Sequence, residues 1–176
     1  MSQDPTLHAE TAQMDIEEIM FPSSDWVPNN LRLPALVHKR AGRAAAASSF
    51  EALFADNGWT GVWRNGVFGY QHYHSGAHEI LGIGQGAATL LIGGPGGRAL
   101  QVSCGDCLLL PAGTGHQNLK SSPDFEVVGA YPHGQQADIQ ITAPTPDILT
   151  KISRLPVPDT DPVLVASDGL VRRWKT

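Results

Sequence analysis

Along most of the chain the apolar positions fall in short runs, each closed by glycine, proline or a polar turn. Between Trp59 and Tyr131 these runs predict strands at Val62–Arg64, Val67–His74, Glu79–Ile83, Ala87–Ile92, Ala99–Ser103, Cys107–Leu110, Gln117–Leu119 and Phe125–Tyr131. Strands recurring about every ten residues predict an antiparallel sandwich or small barrel. Ahead of them, Phe50, Leu53 and Phe54 follow helical spacing behind the capping candidates Ser48 and Ser49, with Asn57-Gly58 as the stop. Ala35–Lys39 reads as extended, and a second short helix is expected near Asp147–Ser153, before a proline-rich tail. The first 25 residues offer only Ile16, Ile19 and Met20 for one amphipathic turn. They read as an N-terminal arm, disordered or packed on a partner subunit. The expected division is an arm at 1–25 and one domain at 26–176, with its barrel core at about 59–131 and no internal repeat.

Composition sharpens this picture. Glycine (19) and proline (13) are abundant in 176 residues, which favours a turn-rich β architecture over a helical bundle. A net charge of −5 without a lysine or arginine cluster argues against a sequence-independent grip on nucleic acid. No stretch has the ~18 apolar residues of a membrane-spanning helix. The first residues lack the basic and apolar regions of a secretory signal, and there are two cysteines. A cytoplasmic location is therefore expected. Cys104-x-x-Cys107 flanks a Gly-Asp turn between strands instead of opening a helix, so it reads as structural, with Cys107 a small buried apolar residue.

The chemistry lies in the histidines. On a strand, His72 and His74 share one face, about 7 Å apart. The turn Ser75-Gly76-Ala77 then reverses the chain into Glu79, which shares parity with the inward Leu81 and Ile83. His78 has the opposite parity and is expected at the surface or behind the ligands. The turn Pro111–Gly115 delivers His116 to the start of the next strand. Imidazoles with one carboxylate suit a divalent transition metal (Fe, Mn, Co, Ni, Cu or Zn) better than Mg or Ca. An octahedral ion with four such ligands keeps two positions open, and its residual positive charge favours anionic ligands. Tyr70 shares the parity of His72 and His74; it either lines the cavity, as a candidate catalytic residue, or fills the core. His8, His38 and His133 have no partners at useful spacing.

These residues resemble both signature motifs of the cupin superfamily. The first reads Gly66-x5-His72-x-His74-x4-Glu79-x6-Gly86, and the second Gly105-x5-Pro111-x-Gly113-x2-His116. The chain departs from the second motif near its end, where Lys120 stands in place of a common asparagine and Asn118 lies two residues earlier. Stretches such as FEALFADNGW (50–59), HYHSGAHEILGIGQG (72–86) and DFEVVGAYP (124–132) are similar to single-barrel cupins of the YjlB type. The resemblance implies a double-stranded β-helix, a jelly-roll barrel, with His72, His74, Glu79 and His116 as metal ligands. It also implies a homodimer formed through sheet edges and arms, and dioxygenase- or isomerase-like chemistry on a small organic anion. The alternative reading is a non-catalytic small-molecule-binding module whose metal is structural or absent.

Overall fold

The computed structural model describes residues 16–39, 47–163, 169 and 171–175. Residues 1–15 of the expected arm, including His8, lie outside the described residues. In chain order the strands are β1 (Ile16–Ile19), β2 (Ala35–His38), β3 (Thr60–Asn65), β4 (Glu79–Gln85), β5 (Ala87–Ile92), β6 (Arg98–Ser103), β7 (Cys107–Leu110), β8 (His116–Ser121) and β9 (Glu126–Tyr131). Helix α1 (Ala47–Asp56) precedes β3, and α2 (Pro146–Arg154) follows β9. α1 already includes Ser48 and Ser49, so the expected capping pair lies within the helix. α2 is capped by Thr145, whose side chain accepts from the Ile148 N–H at 3.3 Å.

The strands form two antiparallel sheets, one ordered β1-β2-β7-β4-β9-β3 and the other β6-β5-β8. Alternation along β4 divides the core. Leu81 and Ile83 turn inward and meet Leu90, Ile92, Leu108, Leu110 and Val127 between the sheets. Ile80 turns outward with Leu36, Leu109, Val128 and Ala130, under Phe50 and Phe54 of α1 and under Trp59 and Trp174. A strand buried on both faces therefore carries Glu79 into the barrel at its first residue. No helix among the described residues is long and apolar enough to cross a membrane.

Three expectations are corrected. Ile16–Ile19 is a strand of the chain's own sheet, paired Ile16↔His38 to Ile19↔Ala35, and not a helical turn. The open edge of β2, a short apolar strand, takes it up. Val67–His74 is not a continuous strand. Val67 to Tyr70 are half-buried or exposed, and regular pairing is confined to the bridges His72↔His116 and Tyr73↔Gln140. His78 does face outward, but that face is covered and the residue is fully buried. Its Nδ1 accepts from the Ala112 N–H at 2.9 Å, and its ring lies 4.9 Å from Trp174. Burial holds its pKa down to about 4, so it is a neutral structural imidazole.

Gly82 is where α1 meets the sheet. A Cβ there would stand 2.8 Å from Cγ of the fully buried Phe50. Gly82→Ala is therefore expected to destabilise the fold by about 1–3 kcal/mol, the usual range for overpacking a core. The effect should appear as a lower urea midpoint at unchanged slope. Wild-type stability would show that α1 rides over the sheet without close packing.

Candidate metal centre

The floor of the barrel cavity is built from both motif turns. The backbones of His72 and His116 exchange two hydrogen bonds, His72 N–H to His116 O at 3.2 Å and His116 N–H to His72 O at 2.9 Å. On the other side, Tyr73 and Gln140 pair in the same way at 3.1 and 2.9 Å. The strand-like alternation is thus kept where it matters. Tyr73 is buried with Val27, Ala112 and Ile152, while His72 and His74 turn to the cavity. Nitrogens of His72, His74 and His116, all buried, lie within 4.8 Å of one another. Glu79, 2% exposed, places Oε2 3.1 Å from His74 Nε2 and 3.3 Å from His116 Nε2. The three imidazoles therefore gather as one cluster, and Glu79 stands against two of them, His74 and His116.

The outer nitrogens are committed as well. His72 Nδ1 faces the Tyr70 carbonyl at 3.1 Å, His116 Nδ1 faces the Thr114 carbonyl at 3.0 Å, and His74 Nδ1 faces the Asp138 carbonyl. A carbonyl can only accept, so each Nδ1 carries its proton. Each Nε2 edge is then the one turned to the centre, the arrangement in which imidazole serves as a metal ligand.

Burial and charge set the protonation. Burial, helped by the neighbouring His116, pulls His72 down to about 3, so it is neutral. Burial would also lower His74, but the Glu79 carboxylate outweighs it and raises His74 to about 9. Burial opposes the ionised form of Glu79, yet His74 and His116 hold its pKa well below the usual carboxylate range. Without an ion, the centre is thus a buried carboxylate compensated by imidazolium.

Above this floor lies a cavity of about 390 Å³. Tyr70 is not among its lining residues. It is 47% exposed and stacked on Phe68 at 4.8 Å. The parity argument fails there because the segment before His72 is not in a sheet. The tyrosine that does line the cavity is Tyr131, which accepts from Trp63 Nε1 at 2.9 Å. Burial and the Glu79 charge hold its hydroxyl above the ordinary phenol range. The indole of Trp63 can occupy this position because residue 129 is glycine, where a Cβ would fall 2.1 Å from the ring. Parity along β9 with the inward Val127 was the signal that could have found Tyr131.

Asp138 is the other functional residue that sequence reasoning missed. Besides the contact of its carbonyl with His74, its carboxylate accepts from Ser75 N–H at 2.7 Å, Gly76 N–H at 2.9 Å, Gln140 Nε2 at 2.8 Å and the Ser75 hydroxyl. It therefore fixes the turn between His74 and Glu79 from 64 residues away. No local pattern marks such a residue.

Two facing antiparallel sheets, with a buried histidine triad and a glutamate turned inward from the two motif turns, define the chain as a cupin. No family model matches the chain. A protein of Bacillus subtilis (strain 168) described as uncharacterized protein YjlB is 33% identical over 164 residues, covering 92% of this chain and 98% of its own length. Among solved structures, procruciferin, an 11S globulin from Brassica napus, aligns with 70% of this chain and 26% of its own, at 18% identity and a TM-score of 0.36. The chain belongs to the YjlB-like cupins.

Asp138→Ala would strip the acceptor from two backbone N–H groups of the turn. It is expected to cost about 2–3 kcal/mol at pH 7. Burial opposes the Asp138 charge, but its hydrogen bonds prevail and depress its folded-state pKa. Its contribution is therefore complete above the unfolded carboxyl pKa of about 4 and fades as pH falls below that value. Urea melts at pH 7 and pH 3 should show the gap between wild type and variant narrowing at the lower pH. A gap that stays constant would mean that the carboxylate charge plays no part.

Proposed function

We propose that this protein is a metal-dependent enzyme in which His72, His74, His116 and Glu79 hold one divalent transition-metal ion and a small organic ligand reaches it through the cavity. The observation that carries the reading is the orientation of the imidazoles. Three Nδ1–H groups are tied to backbone carbonyls, so the three opposite ring edges turn to one buried cluster, with a Glu79 oxygen beside two of them. Nitrogen donors with a single carboxylate favour Fe, Mn, Co, Ni, Cu or Zn. Such an ion, when bound, supplies Lewis acidity toward a ligand's oxygens or access to dioxygen chemistry. Membership of the cupins supports dioxygenase- or isomerase-like conversions of small organic anions as the reaction.

The chain's own residues supply the rest. Glu79 offsets positive charge at the floor. Tyr131 keeps its proton at the cavity edge, oriented by the Trp63 N–H. Leu81, Phe68 and Val67 line the walls.

One observation favours a second reading, a binding module without metal. The Glu79 carboxylate already has close partners in His74 and His116, so the site is electrostatically satisfied as it stands. Elemental analysis decides between them. Untagged protein, purified without chelators or a nickel column, is expected to carry about one transition-metal ion per chain, and His116→Ala to lose it. A metal-free wild type, folded and equally stable, would establish the second reading.

A further inference from the structure

The charge and texture of the cavity walls narrow the ligand beyond an organic anion. Among the described lining residues, Arg64 is the only lysine or arginine, and it is already engaged. Its Nε lies 2.8 Å from Glu51, and its Nη1 lies 3.6 Å from Glu126. Two carboxylates against one guanidinium leave the wall with no surplus positive charge for a second anionic group. A phosphate or a dicarboxylate would have one end unmatched, at the cost of desolvating it.

Apart from Asn65 and Tyr131, the rest of the wall above the floor is apolar. Trp63, Val67, Phe68, Leu81 and Ile139 line the cavity. Two of these are large side chains left open at its mouth, Phe68 at 45% and Ile139 at 51% exposure. Phe68 forms a flat shelf with Tyr70, their rings nearly parallel at 13° and 4.8 Å apart. The same ring meets His72 edge-on at 5.2 Å, so the shelf runs straight down to the imidazole floor. Exposed apolar surface gathered at the mouth of a cavity marks a binding site more often than chance. At ~30 Å³ per water molecule, the cavity holds about a dozen waters, room for a ligand of roughly 10–15 heavy atoms.

We infer that the site takes a ligand with an apolar or aromatic body and a single oxygen-donor, at most singly charged head, the body against Phe68 and Ile139 and the head at the histidines. The role of the head rests on the metal reading above; the preference for the body does not.

The test is calorimetric titration with acetate, butanoate, hexanoate, 3-phenylpropanoate and the dicarboxylate adipate, on cobalt(II)-loaded and metal-free protein in parallel. Affinity is expected to rise about three- to fourfold per methylene along the monocarboxylates. Adipate should bind at least about tenfold more weakly than hexanoate, since its second charge meets an apolar wall. Phe68→Ser and Ile139→Ser, both at exposed positions, should each weaken 3-phenylpropanoate about tenfold, leave acetate within about twofold and keep the wild-type melting temperature. Equal affinity along the series, adipate binding as well as hexanoate, or indifference to both substitutions overturns the inference. If the protein takes up no cobalt, the metal reading fails by itself, and the metal-free titrations still decide. Chain-length dependence removed by Phe68→Ser upholds the apolar body, and no binding by the longer acids overturns it.

Discussion

A carboxylate taken out of water inside a barrel must be met by positive charge or give up its own, and Glu79 sits at 2% exposure. The surrounding architecture follows from that demand. β4 can deliver a glutamate to the interior because its neighbours β7 and β9 fix its register, Ile80↔Leu109 on one side and Ile80↔Ala130 on the other. The compensating imidazoles come from elsewhere in the chain, His74 from the turn before β4 and His116 from the start of β8. Their approach is held by backbone hydrogen bonds between the two motif turns. A slip of one residue in β4 would turn Glu79 toward the helix and leave His74 without its counter-charge.

A second layer keeps this arrangement from relaxing. The Tyr70, Thr114 and Asp138 carbonyls fix which edge of each ring faces inward. The Asp138 carboxylate grips the turn that separates His74 from Glu79. On the opposite wall, Gly129 leaves room for Trp63, and Trp63 in turn orients Tyr131. The floor thus depends on residues that carry no donor to it and have no motif of their own.

That division explains what was legible beforehand. Period-two alternation exposed the parity of Glu79 with Leu81 and Ile83, and the glycine and proline punctuation placed most strands to within a residue or two. The three clustered histidines and the Glu79 beside two of them could be named because their spacing is short-range within each motif. The segment before His72 misled because its apolar and aromatic residues look like a strand, whereas their surroundings are the open mouth of the cavity. Tyr70 was drawn inward by a parity that holds only from His72 to His74. Ile16–Ile19 was missed because four residues pattern too weakly to reveal pairing with β2, which the tertiary fold alone supplies. Asp138 and Trp63 act through contacts across long stretches of chain, and a single sequence carries no trace of those.

The outer half of the core has a timing built into it. The indole of Trp174 is buried against the sheet's outer cluster and donates to the Pro34 carbonyl at 2.8 Å, a contact spanning 140 residues. The inner cluster, by contrast, draws on residues between Ile19 and Val127. On the ribosome, the barrel interior can gather while the chain is still being extended. Behind β4, the part of the face under Trp174 closes only once residue 174 has cleared the exit tunnel. Until then, the patch beneath Trp174, with His78 in it, stands open to water and to whatever chaperone meets the nascent chain.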